Sequence, residues 1–200
     1  GRPGESGVVS LGDAGVAIVE FLHPVKDGIG PDFAIFENSF SPTFLELAFV
    51  EVSSDGINYF RFSAHSLTDT VNPIGGFGAV QPSNVNNLAG KYVANFGTPF
   101  DLSELPNNPL LDKQQITHIK IIDVVGTLHP GDARYDTANR PIQDVYPTPF
   151  PSGGFDLDAV GVIHIARTSL TEFNPLNVSV YPNPVNEVMQ VYMDLSMRQS

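Results

Sequence analysis

The chain has 200 residues, of which 42% are hydrophobic and 10% aromatic, enough for one full domain with a core but too few for two complete domains. Its 22 acidic and 10 basic residues give a formal charge of −12, which disfavours nucleic acid as a partner. The 18 glycines and 17 prolines argue against a helical bundle, and no apolar run is long enough for membrane insertion.

Short apolar runs predict strands in the first third of the chain. Residues 15–22 and 32–38 are apolar and bounded by Gly, Pro or Asp, a pattern typical of buried strands. Residues 45–52 and 57–62 flank the segment 53–56, where Asp-Gly predicts a tight hairpin turn.

A long, poorly periodic stretch follows from residue 65 to 113. Within it, Asp101 and Glu104 have the spacing of a capping box, which predicts a short helix that Pro106 ends. We expect so long a stretch to be functional or packed over the core.

Two further strands are predicted on either side of a second long loop, residues 126–154. In the strand 116–123, alternation turns Ile119 and Ile121 inward, and the strand 155–165 closes the domain. The fold class predicted from these elements is an all-β, antiparallel β-sandwich, jelly-roll-like, with long loops and one or two short helices at most.

Oxygen-bearing side chains stand at the ends of the predicted strands. A buried carboxylate is costly unless it is paired, and ten basic residues offer few partners. Calcium accepts such oxygens, so we predict structural Ca²⁺; the alternative is that the acids are solvated or hydrogen-bonded to loop amides. The candidate metal ligands are Asp32, Glu37, Asn38, Asp123, Asp156 and Asp158.

Aromatic residues in the predicted loops lie among Asn, Asp and Gly. This mixture suits sugar recognition, where a ring face meets C–H groups while amides or acids bind hydroxyls; the alternative is that the rings pin the loops to the core. The candidate ligand-binding residues are Phe77, Tyr92, Phe96, Tyr135 and Tyr146.

Signatures of catalysis are mostly absent, and no catalytic residue is assigned. The five histidines have no metal-binding spacing, and there is no nucleophile elbow or phosphate loop. Glu37, Glu46 and Glu51 could form the acid pair of a glycosidase, as could the acids of any acidic sandwich.

Several long blocks, including residues 31–38, 44–56 and 147–160, together resemble a family of bacterial exported proteins known as "cell surface protein". The resemblance covers residues 8–165 and implies secretion or surface display and a β-sandwich, with no catalytic residues. The closing run 155–160 is also similar to the last strand of carbohydrate-binding jelly-rolls, in which an acid often helps to hold calcium.

The composition changes after residue 165, which predicts a surface domain at 1–166, a linker at 167–176 and a further segment at 177–200. Tyr181-Pro182-Asn183-Pro184 resembles the opening of Bacteroidota C-terminal sorting domains for type IX secretion. Such domains normally have several strands, so we expect a truncated one, with the type IX machinery as its partner.

Two tripeptides, beginning at Asp69 and Asp136, resemble the Asp-Thr-aliphatic site of Bacteroidota O-glycosylation, with Thr70 and Thr137 as acceptors. The resulting hypothesis is a non-enzymatic, calcium-stabilised module, extracellular or on the cell surface, that binds glycan or another surface component. The alternatives are a structural or adhesive subunit that self-assembles and, third, a polysaccharide-active enzyme.

Overall fold

The computed structural model describes Gly4, residues 7–148 and 153–166, and the backbone of 178–181 and 190–193. The chain divides into two compact units, Gly1–Ala166 and Arg167–Ser200. The strands in chain order are β1 (Val9–Ser10), β2 (Val16–Val25), β3 (Phe33–Glu37), β4 (Ala48–Ser53), β5 (Phe60–Arg61), β6 (His65–Ser66), β7 (Val85–Asn86), β8 (Thr98–Phe100), β9 (Ile116–Asp123), β10 (Asp156–Val162), β11 (Val178–Tyr181) and β12 (Gln190–Met193).

The first unit contains two four-stranded antiparallel sheets, which confirms the predicted all-β sandwich. The first sheet has the order β1-β10-β3-β8, and the second has the order β2-β9-β4-β5. A short additional pair, β6 with β7, lies in the long loop that follows β5. The elements form strands because apolar and β-branched residues either alternate with polar ones, as in β9, or form short apolar runs, as in β3 and β4.

The main core lies between the two sheets. On β9, Ile119 and Ile121 are fully buried while His118 and Lys120 are partly exposed, as the alternation predicts. The rings of Phe33 and Phe100 stack with centroids 5.4 Å apart, and Phe62 packs against both. Burial of such residues is the main stabilisation of the sandwich.

A second apolar cluster lies beneath the long loops. Phe49 of β4 belongs to it, whereas its neighbour Val50 belongs to the main core, so β4 is buried on both faces. The other members of the cluster come mainly from loops: Leu45, Leu47, Ala64, Val80, Val85, Leu88, Val124 and Ile142. The loops are therefore packed onto the outer side of the second sheet.

Two local expectations need correction. The predicted hairpin of β4 and β5 is present, but the tight Asp-Gly turn is not, because the last pair is Val52 with Phe60 and leaves a wider loop. Asp55 organises that loop by accepting N–H groups of Ile57 and Asn58, both at 2.8 Å.

The predicted capped helix is a single 3₁₀ turn, Leu102–Glu104, with Asp101 as its N-cap. Glu104 does not close the capping box, since its Oε2 accepts from the Asn87 side chain at 2.6 Å. A second 3₁₀ turn spans Pro82–Asn84.

In the second unit, β11 and β12 pair antiparallel, with Val178 opposite Met193. The predicted linker 167–176 and residues 182–184 of the sorting motif lie outside the described residues. Among the residues that are described, no helix has the length and apolarity needed to cross a bilayer.

Candidate functional site

The six predicted metal ligands are distributed over both ends of β3. Asp32 directly precedes this strand and Glu37 ends it, about 16 Å away at the usual rise of a strand. Asp123 ends β9, and Asp156 begins β10. The residue after Asp156, Leu157, pairs with Glu37 across the sheet. The six therefore do not form one cluster, and the two ends of β3 are different environments.

At the first end, Asp32 is fully buried and both of its carboxylate oxygens are hydrogen-bonded. Oδ1 accepts from Gly28 N–H and contacts His164 Nδ1, both at 2.7 Å, and Oδ2 accepts from Leu102 N–H at 2.7 Å. A Cβ on Gly28 would lie 2.3 Å from His164 Nδ1, so the close approach of the ring requires glycine here. Asp32 thus joins three separate segments.

An acidic triad surrounds this position. One oxygen each of Asp27, Asp32 and Asp101 lies within 4.8 Å of the others. Both oxygens of Asp32 are hydrogen-bonded, and Asp101 Oδ1 caps the 3₁₀ turn by accepting from Ser103 N–H at 2.9 Å. The Asp27 carboxylate accepts no hydrogen bond from the described residues.

At the second end, Glu37 is buried without a complete set of partners. The residue is 2% exposed, and its Oε2 has no hydrogen-bond partner in the described part of the chain. Burial, then the charge of Glu46, then that of Asp156 raise the pKa of Glu37 to about 9, although the N–H groups of Ser39 and Asn38 lower it.

Glu46 and Asp156 lie near Glu37 and are partly exposed. Burial and the charges of Asp156 and Asp123 raise the pKa of Glu46 to about 7, although the N–H of Gly154 lowers it. Asp156 Oδ1 accepts a hydrogen bond from the Ser10 hydroxyl. The charges of these neighbours oppose ionisation of one another.

Two further buried acids, Asp123 and Asp144, accept hydrogen bonds from backbone N–H groups. Asp123 accepts from Phe155 at 2.8 Å and from Ala14 at 2.9 Å, and burial raises its pKa to about 6. Asp144 accepts from Leu47 and, at 2.6 Å, from Val145 N–H, and burial raises its pKa well above the usual range.

We call Glu37, Glu46, Asp123, Asp144 and Asp156 the acidic cluster. Within the described ranges, none of its five carboxylates forms an ion pair. Acids that are close together and without ion-pair partners favour protonation of some of their number.

The remaining two predicted ligands, Asn38 and Asp158, have other partners. The backbone N–H of the exposed Asn38 donates to the Asp156 carbonyl at 3.3 Å. Asp158 accepts from Gly4 N–H at 2.7 Å. The register with β3 shifts between Leu157 and Ala159, so the strict alternation expected to place Asp158 beside Asp156 is interrupted.

Sequence reasoning did not include Glu46 and Asp144 among the metal candidates. The position of Glu46 in the sequence could have indicated a buried acid, since it interrupts the apolar run between Leu45 and Leu47. Nothing in the sequence around Asp144 indicates its burial, because its loop packs against the distant Leu47.

A cleft of about 200 Å³ lies between the two long loops. Its floor includes Gln143, which is 1% exposed and ties the loops together by accepting from Ile74 N–H and donating to the Asn72 carbonyl, both at 2.8 Å. The residues that line it are Thr68, Asp69, Ile74, Ala79, Val80, Gln81, Asn84 and Gln143.

The five predicted ligand-binding aromatics lie in three loops, and none of them lines this cleft. Phe77 is 74% exposed and lies in the turn between Ile74 and Ala79, two lining residues. The others are Phe96 and Tyr92, which are exposed before β8, Tyr135, which is exposed, and Tyr146, which is partly exposed.

Both predicted glycosylation acceptors are exposed. Thr70 follows the cleft residue Asp69, and Thr137 donates its backbone N–H to Ala64 at 2.9 Å. Of the glutamates considered for catalysis, Glu51 is engaged elsewhere, because it forms 2.8 Å ion pairs with Arg61 and Lys120.

Comparison of the chain with known protein families, with curated proteins and with solved structures finds no match in any of the three. The resemblance to exported surface proteins and to type IX sorting domains therefore remains a prediction.

Proposed function

We propose that this chain is a non-enzymatic, calcium-stabilised module, exported to the cell surface or beyond it, that binds glycan through the cleft between its long loops. The observation that carries this proposal is an amide-lined cleft on loops that are packed onto a second core. A binding site needs such a preformed arrangement, because ordering a mobile loop reduces affinity.

The cleft offers the polar groups that sugars require. Gln81 and Asn84 line it, and their side-chain amides make no hydrogen bond within the described part of the chain, so they are available to hydroxyl groups. Ile74, Ala79 and Val80 supply an apolar wall for C–H groups. The exposed ring of Phe77, at the turn beside this wall, extends the surface.

The electrostatics of the cleft favour binding over acid catalysis. Asp69 is the one carboxylate among the lining residues. The Asn72 side chain and the Val71 N–H hold the pKa of Asp69 below its usual range. An ionised carboxylate accepts hydroxyl hydrogen bonds, whereas glycosidases use a pair of carboxyl groups, one of them protonated.

A glycan array with the full chain tests this proposal. We expect specific binding that falls at least tenfold in Gln81→Ala and Asn84→Ala, because each truncation removes a hydrogen bond to the sugar. The matched control is Gln115→Ala, which changes an exposed glutamine that does not line the cleft. Absence of glycan binding, or equal binding by all three variants, would contradict the proposal.

The self-assembling subunit remains the second candidate, and β2 favours it. This strand is at one edge of the second sheet and exposes Val16, Ile18 and Leu22, the last at 91%. Exposed apolar edges pair readily with other strands. Concentration-dependent assembly in sedimentation velocity, abolished by Ile18→Lys, would support this candidate over the first.

A further inference from the structure

We propose that the cleft between the long loops binds a sugar that carries a free ammonium group, and that Asp69 is the residue that recognises this group. This inference rests on the glycan part of the proposed function and names the class of sugar that the same site takes. An amino sugar with an unmodified amine is then favoured over its N-acetylated form and over sugars that carry a negative charge.

The first argument is the charge of the cleft. Among the described residues that line it, Asp69 is the one that ionises, and none is Lys, Arg or His. Asp69 forms no ion pair within the described part of the chain, and the formal charge of the chain is −12. A cation beside Asp69 is attracted by a carboxylate that no basic residue neutralises, whereas an anionic sugar is repelled.

The second argument is that the Asp69 carboxylate is held in one orientation. Its Oδ1 accepts from Val71 N–H at 2.8 Å, and its Oδ2 accepts from the Asn72 side chain at 2.9 Å. The buried Gln143 side chain also donates to the carbonyls of Asp69 and Asn72. A ligand does not have to order this segment when it binds, so less free energy is lost on association.

The third argument is the hydrogen-bonding capacity that remains on Asp69. The residue is exposed, and its lowered pKa keeps the carboxyl group ionised at neutral pH. An ionised carboxylate accepts about four hydrogen bonds, so its contacts with Val71 and Asn72 leave part of this capacity open. An ammonium group brings several N–H donors and a full charge, whereas an acetylated amine brings a single N–H and no charge.

The size of the cleft matches a single sugar ring. Its volume of about 200 Å³ is below the roughly 300–1,000 Å³ of sites that enclose drug-sized ligands. Besides Asp69, the lining includes Gln81 and Asn84 for hydroxyl groups, and Ile74 and Val80 for C–H groups. With one ring in the cleft, the charge on that ring decides which sugars are accepted.

The experiment is a calorimetric titration of the full chain with three hexasaccharides at pH 6, where a primary amine is protonated. The probes are a hexamer of glucosamine, the same hexamer N-acetylated, and a hexamer of galacturonic acid. We expect the glucosamine hexamer to bind about tenfold more tightly than the N-acetylated one, because only the former forms a charge-assisted hydrogen bond with Asp69. We expect the galacturonic acid hexamer to bind most weakly.

Two variants separate recognition by Asp69 from the general attraction of a cation to an acidic protein. Asp69→Asn removes the charge but keeps an oxygen that can accept from Val71, and we expect it to reduce the preference for the glucosamine hexamer to about twofold or less. The matched control, Asp132→Asn, removes the same charge from an exposed residue outside the cleft and is expected to keep the wild-type preference. Thermal unfolding checks that both variants fold.

The outcomes distinguish this inference from the proposed function. A wild type that does not prefer the glucosamine hexamer overturns the inference alone if the glycan array shows another glycan, and this ranking decides even where Asp69→Asn does not fold. Equal loss of the preference in Asp69→Asn and Asp132→Asn also overturns the inference, because the attraction would then come from the net charge. No binding of any hexamer and none on the array would overturn both.

Discussion

Strand β3 has a buried carboxylate at each end, and the two are satisfied in different ways. Asp32 receives hydrogen bonds from two backbone N–H groups and contacts a histidine ring. Glu37 has an oxygen without a partner and is surrounded by other acids. The comparison shows that burial alone does not define the role of an acid, because the surrounding donors decide whether its oxygens are satisfied.

The largest expected effect is at the satisfied end. Asp32→Asn places an NH₂ group where the carboxylate accepted from Gly28, Leu102 and His164. We expect a loss of about 3 kcal/mol, because buried donors are left unsatisfied. Urea denaturation at pH 7 in chelator measures it.

The control for this change is Asp27→Asn, whose carboxylate belongs to the same triad but accepts no hydrogen bond from the described residues. We expect its effect to stay within about 0.5 kcal/mol. Equal losses of stability in the two variants would show that the hydrogen bonds to Asp32 are not what stabilises this end of β3.

At the Glu37 end of β3, we expect a substitution to raise the free energy of unfolding instead of lowering it. Without metal at pH 7, the folded chain holds Glu37 protonated, since burial raises its pKa to about 9, whereas the unfolded chain ionises it near 4.5. Stability from this group is complete below 4.5 and is lost as pH rises toward 9. Glu37→Gln removes that dependence, so we expect a gain of about 2 kcal/mol at pH 7.

The measurement is urea denaturation in chelator at pH 7 and pH 4. We expect the gain to disappear at pH 4, where both states of the wild type are protonated. Destabilisation by Glu37→Gln at pH 7 would contradict the account of this end as an unsatisfied carboxylate.

A third buried carboxylate extends the comparison into the loops. Burial raises the pKa of Asp136, but N–H groups of Ser66 and Arg140, the Arg140 guanidinium at 2.6 Å and the Ala138 N–H outweigh it, so the pKa is lowered. Its stabilisation is complete above the unfolded value of 3.8 and is lost as pH falls through the folded value.

We therefore expect Asp136→Asn to cost about 2 kcal/mol at pH 7 and progressively less below pH 3.8. Thermal unfolding from pH 7 to pH 2 measures the difference, with the exposed Asp132→Asn as control. A loss of stability that does not depend on pH would show that the fold does not preferentially stabilise the ionised form of Asp136.

The strands were predictable because their signal is local. The alternation that turns Ile119 and Ile121 inward is present in eight consecutive residues, and β9 spans the predicted range. The turn after β4 was less predictable, because the side chain of Asp55 competes with the tight Asp-Gly geometry by accepting nearby N–H groups.

The sites were less predictable because their partners are far apart in the chain. The acids at strand ends were visible in the sequence, but nothing local indicates that Asp32 meets His164, 132 residues away. Equally, nothing local indicates that Gln143, a lining residue of the cleft, donates to the Asn72 carbonyl, 71 residues away.

The sequence by itself determined the all-β class, the acidic surplus and the placement of carboxylates next to buried strands, since these follow from composition and short-range periodicity. Only the tertiary structure decided which carboxylates are satisfied, because hydrogen-bond donors reach Asp32 from distant segments while Glu37 meets further acids. The physical reason is that burial and pairing, which set the cost of a charge, are properties of packed neighbours and not of adjacent residues.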